Sequence, residues 1–331
     1  MRYVTFDRPG DAKVLRIARG DRPRPSRNEV LIGVEAAGVS RADVLQREGK
    51  YPAPPDGSPI LGLDAAGTIV ALGADVARWR VGDRVCALTN GGGYAEYVAV
   101  PAGQVLPIPD GWSAVEAATL PENAFTVYDY LFTRAKLRAG ESVLVHGGTS
   151  GIGTTAIMFA HALGARAVAT AGTPEKCAAC IKLGASDAID YRTEDFVTAI
   201  ERITNGRGVN VVLDVVGGDY IARDLECLAV DGRLVCIATQ RGSRVELDLR
   251  RLFARRGTIM ASSLRPRSAP EKASIAAELE RAIWPLLPLR DRIVPIVDSV
   301  YPLERVADAH ARMESSAHVG KIVLVIDNLA H

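Results

Sequence analysis

Residues 142–164 read SVLVHGGTSGIGTTAIMFAHALG, and this stretch decides the fold. The apolar run at 143–145 is too short for a helix and is typical of a buried parallel strand. A glycine-rich turn follows at 146–153. Apolar residues then recur at roughly helical spacing until Gly164, where we expect the helix to end. A strand, a glycine turn and a helix in this order are the context that a dinucleotide fingerprint requires.

The glycine turn predicts a site for a pyrophosphate. Glycines let the backbone approach the phosphates, and the N-terminus of the following helix offers free N–H donors and a positive dipole end. A turn with a purely structural role is the alternative. The strand before the turn and the helix after it favour nucleotide binding.

The composition limits the classes of function. At 331 residues the chain is long enough for two domains with cores of their own. A hydrophobic content of 48% and a net charge of +1 give no electrostatic argument for nucleic acid or an anionic membrane. No apolar run has membrane-spanning length, and the N-terminal residues lack the apolar core of a signal peptide. We therefore expect a cytoplasmic protein whose five cysteines are reduced thiols.

The order of predicted elements indicates two domains. Short strands punctuated by glycine and proline are predicted in the first third, at 3–6, 14–17, 29–37, 67–72, 84–88 and 95–100. Strands then alternate with helices, at 167–171, 188–190, 209–215, 233–238 and 258–262, which is typical of a doubly wound parallel sheet. The tail after residue 265 is expected to pack on the first domain. The predicted domains are 1–122 with 266–331, which is β-rich, and 123–265, which binds the nucleotide.

The choice of cofactor is predicted from charge. In NAD-selective folds an acidic residue at the end of the second strand accepts from the ribose 2′-OH. Here Gly172 and Thr173 follow that strand with no acid at its tip, and Lys176 comes next. Tyr191 and Arg192, after the third strand, add a hydroxyl and a second cation. This pattern favours NADP(H) over NAD(H), although two solvated surface charges would look the same in sequence.

Neither a metal site nor an activated nucleophile is evident in the sequence. The cysteines lack the two close pairs of a structural zinc site, and the C-x-x-C at 177–180 lies in a predicted helix without a partner pair. The histidines show no H-E-x-x-H pattern, and a serine-hydrolase elbow is approached at 148–151 with the wrong spacing. Hydride transfer is the chemistry that remains.

Several stretches resemble the medium-chain dehydrogenase/reductase superfamily, and within it the zinc-independent quinone oxidoreductases related to zeta-crystallin. The stress-inducible quinone reductase branch is the most similar. The matching segments are SRADVLQREGKYPAPP (40–55), ILGLDAAG (60–67), GGGYAEYV (91–98), ATLPENAFTVYDYL (118–131), HGGTSGIG (146–153), GVNVVLDVVGG (208–218) and SSLRPR (262–267). The resemblance implies a Rossmann domain beside a GroES-like catalytic domain, and reduction of a quinone by NADPH in the cleft between them.

The resemblance also implies which residues bind NADP(H). The pyrophosphate is assigned to Gly148, Ser150, Gly151, Ile152 and Gly153. The adenosine phosphate end is assigned to Gly172, Thr173, Lys176 and Tyr191. The nicotinamide side is assigned to Thr126, Gly217, Ala238, Thr239, Gln240, Ser263 and Leu264, and Lys321 is expected to close over the cofactor.

The expected catalytic residues are Tyr51, Ser40 and Asp43. Tyr51 either donates a proton to a carbonyl oxygen or serves as an aromatic wall of the quinone pocket, and Ser40 and Asp43 are expected to order that wall. Ser40 is a departure from the family pattern, because many relatives carry Asn at this position. Zinc-dependent relatives have Gly-His-Glu where this chain has Gly62-Leu63-Asp64, so no metal is expected.

Two other functions stay open at this stage. One is an enoyl or enone reductase that sends hydride to a conjugated carbon. The other is a non-catalytic NADPH-binding protein of the kind that zeta-crystallin represents. The resemblance further implies a homodimer joined through edge strands near 233–238 and 258–262, since exposed apolar edges otherwise pair without control.

Overall fold

The computed structural model describes residues 1–55 and 57–327, which form two compact units. The first unit contains Met1–Phe125, Arg265–Arg290 and the residues from Val294 onward. The second contains Thr126–Leu264 and Asp291–Ile293. The predicted domains divide the chain after residues 122 and 265, and residues 328–331 of the predicted first domain lie outside the described residues.

The first unit is built on β-strands. A two-stranded antiparallel sheet pairs β1 with β2, and a seven-stranded sheet has the order β14-β15-β3-β4-β5-β7, with β6 also paired to β3. The strands are β1 (Arg2–Thr5), β2 (Arg16–Arg19), β3 (Glu29–Val39), β4 (Asp64–Leu72), β5 (Arg84–Leu88), β6 (Tyr97–Pro101), β7 (Val105–Pro107), β14 (Val297–Pro302) and β15 (Lys321–Val325). The predicted strand at 14–17 is wrong in its first half, because Asp11 caps a 3-10 turn at Ala12–Val14.

The core of the first unit forms around β3. Val30, Ile32 and Val34 alternate along this strand and pack with apolar residues of β4 and β5. The C-terminal tail packs on the same unit, because β15 pairs antiparallel with β3. Five helices accompany the strands: α1 (Arg41–Arg47), α2 (Ala114–Ala117), α3 (Pro121–Val127), α9 (Ala269–Ala282) and α10 (Val306–Glu314). The last residues of α3 belong to the second unit.

Two helices continue as other helical forms. Helix α9 ends at Ala282, and 3-10 turns follow at Trp284–Leu289 because Pro285 and Pro288 cannot donate the bonds that an α-helix requires. Helix α3 ends at Val127, and the chain continues as a π-helix over Tyr128–Arg134.

The second unit contains a six-stranded parallel sheet in the order β10-β9-β8-β11-β12-β13. Its strands are β8 (Ser142–Val145), β9 (Arg166–Ala171), β10 (Asp187–Asp190), β11 (Val209–Asp214), β12 (Leu228–Cys236) and β13 (Thr258–Ala261). Its helices are α4 (Gly151–Ala162), α5 (Pro174–Lys182), α6 (Phe196–Thr204), α7 (Tyr220–Cys227) and α8 (Leu249–Arg255). This confirms the doubly wound parallel sheet, and the strand order reverses between β8 and β11, where such folds bind ligands.

One expectation about the edges of this sheet is wrong. Residues 233–238 are expected to belong to an edge strand, but β12 pairs with β11 on one side and with β13 on the other. The strand that ends the sheet on this side is β13. Within the described residues, no helix has both the length and the apolar character needed to cross a membrane.

Candidate cofactor and substrate sites

The residues expected to bind the cofactor, except Thr126 and Lys321, share one topological feature. Each group follows the carboxyl end of a parallel strand in the second unit. Residues 148–153 follow β8, residues 172–176 follow β9, Tyr191 follows β10, Gly217 follows β11, residues 238–240 follow β12, and Ser263 and Leu264 follow β13. Because parallel strands end at one edge of their sheet, this arrangement brings the groups to the edge where doubly wound folds bind ligands.

The glycine turn packs closely around the start of α4. Ser150 caps α4, and its hydroxyl accepts the backbone N–H of Gly153 at 3.0 Å. A Cβ at Gly148 would lie 2.7 Å from the sulfur of Cys180, and a Cβ at Gly153 would collide with the carbonyl oxygen of Gly147. The helix N-terminus therefore lies close against the strand, and only glycine fits at these two positions.

The turn after β9 lies beside Tyr191 and Arg192, which follow β10. A Cβ at Gly172 would lie 2.6 Å from the hydroxyl of Tyr191 and 3.4 Å from Nε of Arg192. Thr173 caps α5 by accepting the backbone N–H of Lys176 at 3.2 Å, which places Lys176 in the first helical turn. The structure thus brings Gly172, Tyr191 and Arg192 together beside this helix start.

The turn after β11 is held by a buried carboxylate. Asp214 accepts the backbone N–H groups of Val216 at 2.7 Å and of Gly217 at 2.8 Å. Burial, together with the nearby charge of Asp224, raises the pKa of Asp214 to about 6. Gly217 has φ near +70°, and a Cβ there would lie 2.8 Å from Cα of Thr239. Of the other residues assigned to the nicotinamide side, Thr126 and Leu264 are buried and Ser263 is exposed.

In the first unit, Asp43 is a buried centre of hydrogen bonds. Its carboxylate accepts the backbone N–H of Ser40 at 2.8 Å, the backbone N–H of Gly62 at 3.0 Å and the hydroxyl of Tyr94 at 3.1 Å. Burial raises the pKa of Asp43 to about 6, against the lowering effect of the two backbone bonds. Asp43 is fully enclosed, so it orders the start of α1, and a direct catalytic role stays a prediction.

Lys321 lies beside this centre in a network that the sequence analysis missed. Its ammonium is 2.8 Å from Oδ2 of Asp64, 3.5 Å from Oε2 of Glu122, and donates to the hydroxyl of Ser40 at 2.8 Å. Burial lowers the pKa of Lys321, but the charges of Asp64 and Glu122 outweigh it and the net shift is upward. Burial raises the pKa of Glu122. The ammonium and the Ser40 hydroxyl are thus engaged inside the first unit, and contact of Lys321 with a cofactor stays a prediction.

Tyr51 has a partner that the sequence analysis did not single out. The guanidinium carbon of Arg265 lies 5.3 Å from the centre of the Tyr51 ring. Arg265 also donates to Oε1 of Gln46 at 2.7 Å and lies 3.5 Å from the Tyr51 carbonyl oxygen, while its buried Nε has no hydrogen-bond partner within the described chain. Burial lowers the pKa of Arg265. A buried cation that has an N–H donor without a partner is suited to bind an oxygen-rich or anionic ligand.

The side chains of the Gly62-Leu63-Asp64 stretch do not provide the ligand atoms that a zinc ion requires. Asp64 already accepts the backbone N–H of Glu122 at 2.6 Å and pairs with Lys321. Leu63 supplies no ligand atom where zinc-dependent relatives have histidine. Across residues 1–55 and 57–327, no group of three or more His, Cys, Asp and Glu is arranged to hold a metal ion.

Two family models match the chain, "Alcohol dehydrogenase GroES-like domain" at residues 26–110 and "Zinc-binding dehydrogenase" at residues 151–279. A quinone oxidoreductase of Rattus norvegicus is 32% identical over 306 residues, which cover 92% of this chain and 91% of the relative. The solved Escherichia coli quinone oxidoreductase complexed with NADPH is 29% identical, has a TM-score of 0.87 and is matched over 98% of this chain and 100% of its own. The CurK enoyl reductase structure is also 29% identical, with a TM-score of 0.85 over 98% of this chain and 99% of its own.

Proposed function

The chain belongs to the quinone oxidoreductase family of the medium-chain dehydrogenases/reductases, and we propose that it reduces quinones with NADPH. The overall reaction converts NADPH, a proton and a quinone into NADP⁺ and a hydroquinone. The nicotinamide supplies the hydride when it is bound. The protein has to bind the two reactants, orient them, keep water out and stabilise the charge that develops on the quinone oxygen.

The observation that carries this proposal is the fit of the second unit to a phosphorylated nicotinamide dinucleotide. The glycine turn at 148–153 packs so closely against neighbouring protein atoms that a Cβ at Gly148 or Gly153 would collide with them, and the turn opens α4 at the point where the strand order reverses. We assign the pyrophosphate to this turn. We assign the 2′-phosphate to Lys176, Tyr191 and Arg192, because no carboxylate is present at the tip of β9 to accept from a free 2′-hydroxyl.

We assign the quinone to the first unit, against Tyr51 and Arg265. A quinone that accepts hydride gains negative charge on its oxygen before protonation. The buried guanidinium of Arg265, with its unpartnered Nε, provides a positive charge and a donor for that oxygen. Tyr51 either donates the proton or stacks on the ring. If Tyr51→Phe turns over quinone as fast as the wild type, Tyr51 does not donate the proton, and stacking on the quinone ring is its remaining role.

The proposal is tested with a panel of acceptors. Purified protein is mixed with NADPH and, in separate reactions, an ortho-quinone, a para-quinone and an α,β-unsaturated ketone, and the products are identified. We expect hydroquinone formation to be much faster than saturation of the ketone. Turnover of the ketone alone would assign the chain to the enone reductases, a second candidate supported by the similarity to the CurK enoyl reductase. Tight NADPH binding without turnover of any acceptor would favour a non-catalytic binding protein.

We further propose that the protein is a cytoplasmic homodimer joined at the β13 edge. All five cysteines are free thiols, as expected in a reducing compartment. On α8, just before β13, the side chains of Leu249 and Phe253 are 53% and 73% exposed. Two large exposed apolar side chains on the helix that precedes the edge strand fit a second copy of the chain. Light scattering of Phe253→Asp should show a monomer. Leu289→Asp, which alters an exposed leucine of the first unit, is the control and should remain a dimer. A dimer that persists in Phe253→Asp would reject this edge as the interface.

A further inference from the structure

Three hydrogen bonds run in series beneath the glycine turn of the second unit. The backbone N–H of Gly147 is 3.3 Å from the hydroxyl of Thr170, that hydroxyl is 3.0 Å from Nδ1 of His146, and Nε2 of His146 is 2.7 Å from Oδ1 of Asp224. We call Thr170, His146 and Asp224 the Thr170 relay. The three residues come from β9, the turn after β8, and α7, so the relay joins three elements of the unit.

The partners fix the direction of two bonds in the relay, and the direction of the third follows for a neutral imidazole. The carboxylate of Asp224 can only accept, so Nε2 of His146 carries the hydrogen. In the neutral imidazole, Nδ1 is then an acceptor, and the Thr170 hydroxyl donates to it. The Thr170 oxygen accepts the Gly147 N–H in turn. This tautomer gives every link one donor and one acceptor.

The surroundings of the relay exclude water. His146 and Asp224 have no exposed side-chain surface. The rings of Phe196 and Tyr220 meet the imidazole edge-on, with centroids 4.8 Å and 5.1 Å away. Water cannot replace a hydrogen-bond partner that is lost in this buried site. The loss of one hydroxyl or ring nitrogen therefore costs more free energy here than at the surface.

Gly147 makes several of the contacts that give the glycine turn its shape. Its φ is near +67°, its carbonyl accepts the N–H of Ser150 at 2.9 Å, and that same carbonyl abuts Gly153. The next peptide is held to the same strand residue, because the N–H of Gly148 donates to the carbonyl of Thr170 at 2.8 Å. Thr170 therefore anchors two successive N–H groups of the turn, one with its side chain and one with its backbone.

We propose that the Thr170 relay is a positioning device that holds the glycine turn in its phosphate-binding shape before NADPH arrives. This inference rests on the assignment of the pyrophosphate to that turn. Pre-organisation lowers the cost of ordering the loop on binding, so its loss weakens cofactor affinity without altering hydride transfer in the loaded enzyme. Thr170 also lies two residues before Gly172, so the relay fixes the distance between the turns assigned to the pyrophosphate and to the 2′-phosphate.

The test compares three variants with the wild-type protein by NADPH fluorescence titration, thermal unfolding and steady-state kinetics. Thr170→Val keeps the side-chain shape and removes the hydroxyl, and Thr170→Ser restores the hydroxyl. Thr204→Val is the matched control, since the buried hydroxyl of Thr204 donates to Ile200 and accepts from the N–H of Gly208 elsewhere in the unit.

We expect the Kd for NADPH to rise about tenfold in Thr170→Val and to stay within about twofold of wild type in Thr170→Ser and Thr204→Val. At saturating NADPH, kcat should be unchanged in all three. Wild-type affinity in Thr170→Val, or an equal loss of affinity in Thr204→Val at equal loss of Tm, would overturn the relay. Failure of the wild-type protein itself to bind NADPH would instead reject the proposed function.

Discussion

The ammonium nitrogen of Lys321 lies 2.8 Å from Oδ2 of Asp64, and both side chains are buried in the first unit. Lys321 opens β15 near the C-terminus, whereas Asp64 opens β4. The antiparallel pairing of β15 and β4 with β3 on its two sides brings these distant positions together. An internal ammonium thus neutralises the buried carboxylate of the Gly62-Leu63-Asp64 stretch.

Removal of this ammonium should destabilise the protein. Lys321→Met leaves the carboxylates of Asp64 and Glu122 buried without their cation, which typically costs about 3–5 kcal/mol in the free energy of unfolding. Urea unfolding followed by fluorescence measures the change. Lys13→Met, which alters an exposed lysine of the same unit, should change the free energy by less than about 0.5 kcal/mol. Equal stability of the two variants would show that the buried ion pair contributes nothing.

The stability of the wild-type protein should depend on pH through Asp43. Its pKa rises from the ordinary value of 3.8 to about 6 in the folded state, so folding favours the protonated form. The stabilisation from this group is therefore complete below about pH 4 and is lost as the pH rises through about 6. The full effect is up to about 3 kcal/mol.

Asp43→Asn removes this titration, although its amide is a poorer partner for three donors. We expect the variant to be less stable than the wild type at pH 4, and the gap in free energy of unfolding to narrow by pH 7. Urea unfolding of both proteins across this range measures the gap. A gap that stays constant would show that Asp43 does not titrate between these pH values.

The preference for NADPH should depend on Lys176. Replacement by methionine removes a cation from the first turn of α5, where we place the 2′-phosphate. We expect KM for NADPH to rise about tenfold while KM for NADH changes little, because NADH lacks that phosphate. Lys182→Met, in the last turn of the same helix, is the control and should leave both values unchanged. Parallel changes for the two cofactors in Lys176→Met would reject the assignment.

Reduction of quinones should depend on the charge and shape of Arg265. Arg265→Met should lower kcat/KM for a quinone by about 100-fold and leave the Kd for NADPH unchanged, because a positioned cation near a developing oxyanion contributes on this scale. Arg265→Lys keeps the charge and loses the forked donor set, so an intermediate rate is expected. Stopped-flow and titration measurements separate the two quantities. Wild-type kinetics in Arg265→Met would remove this residue from the quinone site.

Local sequence patterns predict the second unit well. The glycine turn, the strand before it and the helix after it lie within about 20 residues, so their geometry depends on propensity and capping by Ser150. The position of β12 inside the sheet cannot be predicted from the sequence, because an apolar strand at an edge and one inside a sheet have the same sequence pattern. Only the pairing partners, β11 and β13, settle that question.

The polar network of the first unit could not be predicted in the same way. Ser40, Asp64, Glu122 and Lys321 are distant in sequence, and only the strand pairing brings their side chains within contact. Arg265 lies in the SSLRPR segment, but nothing in that segment distinguishes it from Arg267. Its burial against Gln46 and Tyr51 identifies it, and burial depends on the folded first unit.

The central claim is tested most directly by steady-state oxidation of NADPH and NADH with one para-quinone as acceptor, followed by loss of nicotinamide absorbance. We predict turnover with both cofactors, and a kcat/KM for NADPH that is at least about tenfold higher because of the 2′-phosphate contacts. No loss of absorbance with either cofactor, at protein concentrations where NADPH is shown to bind, would contradict the assignment as a quinone reductase.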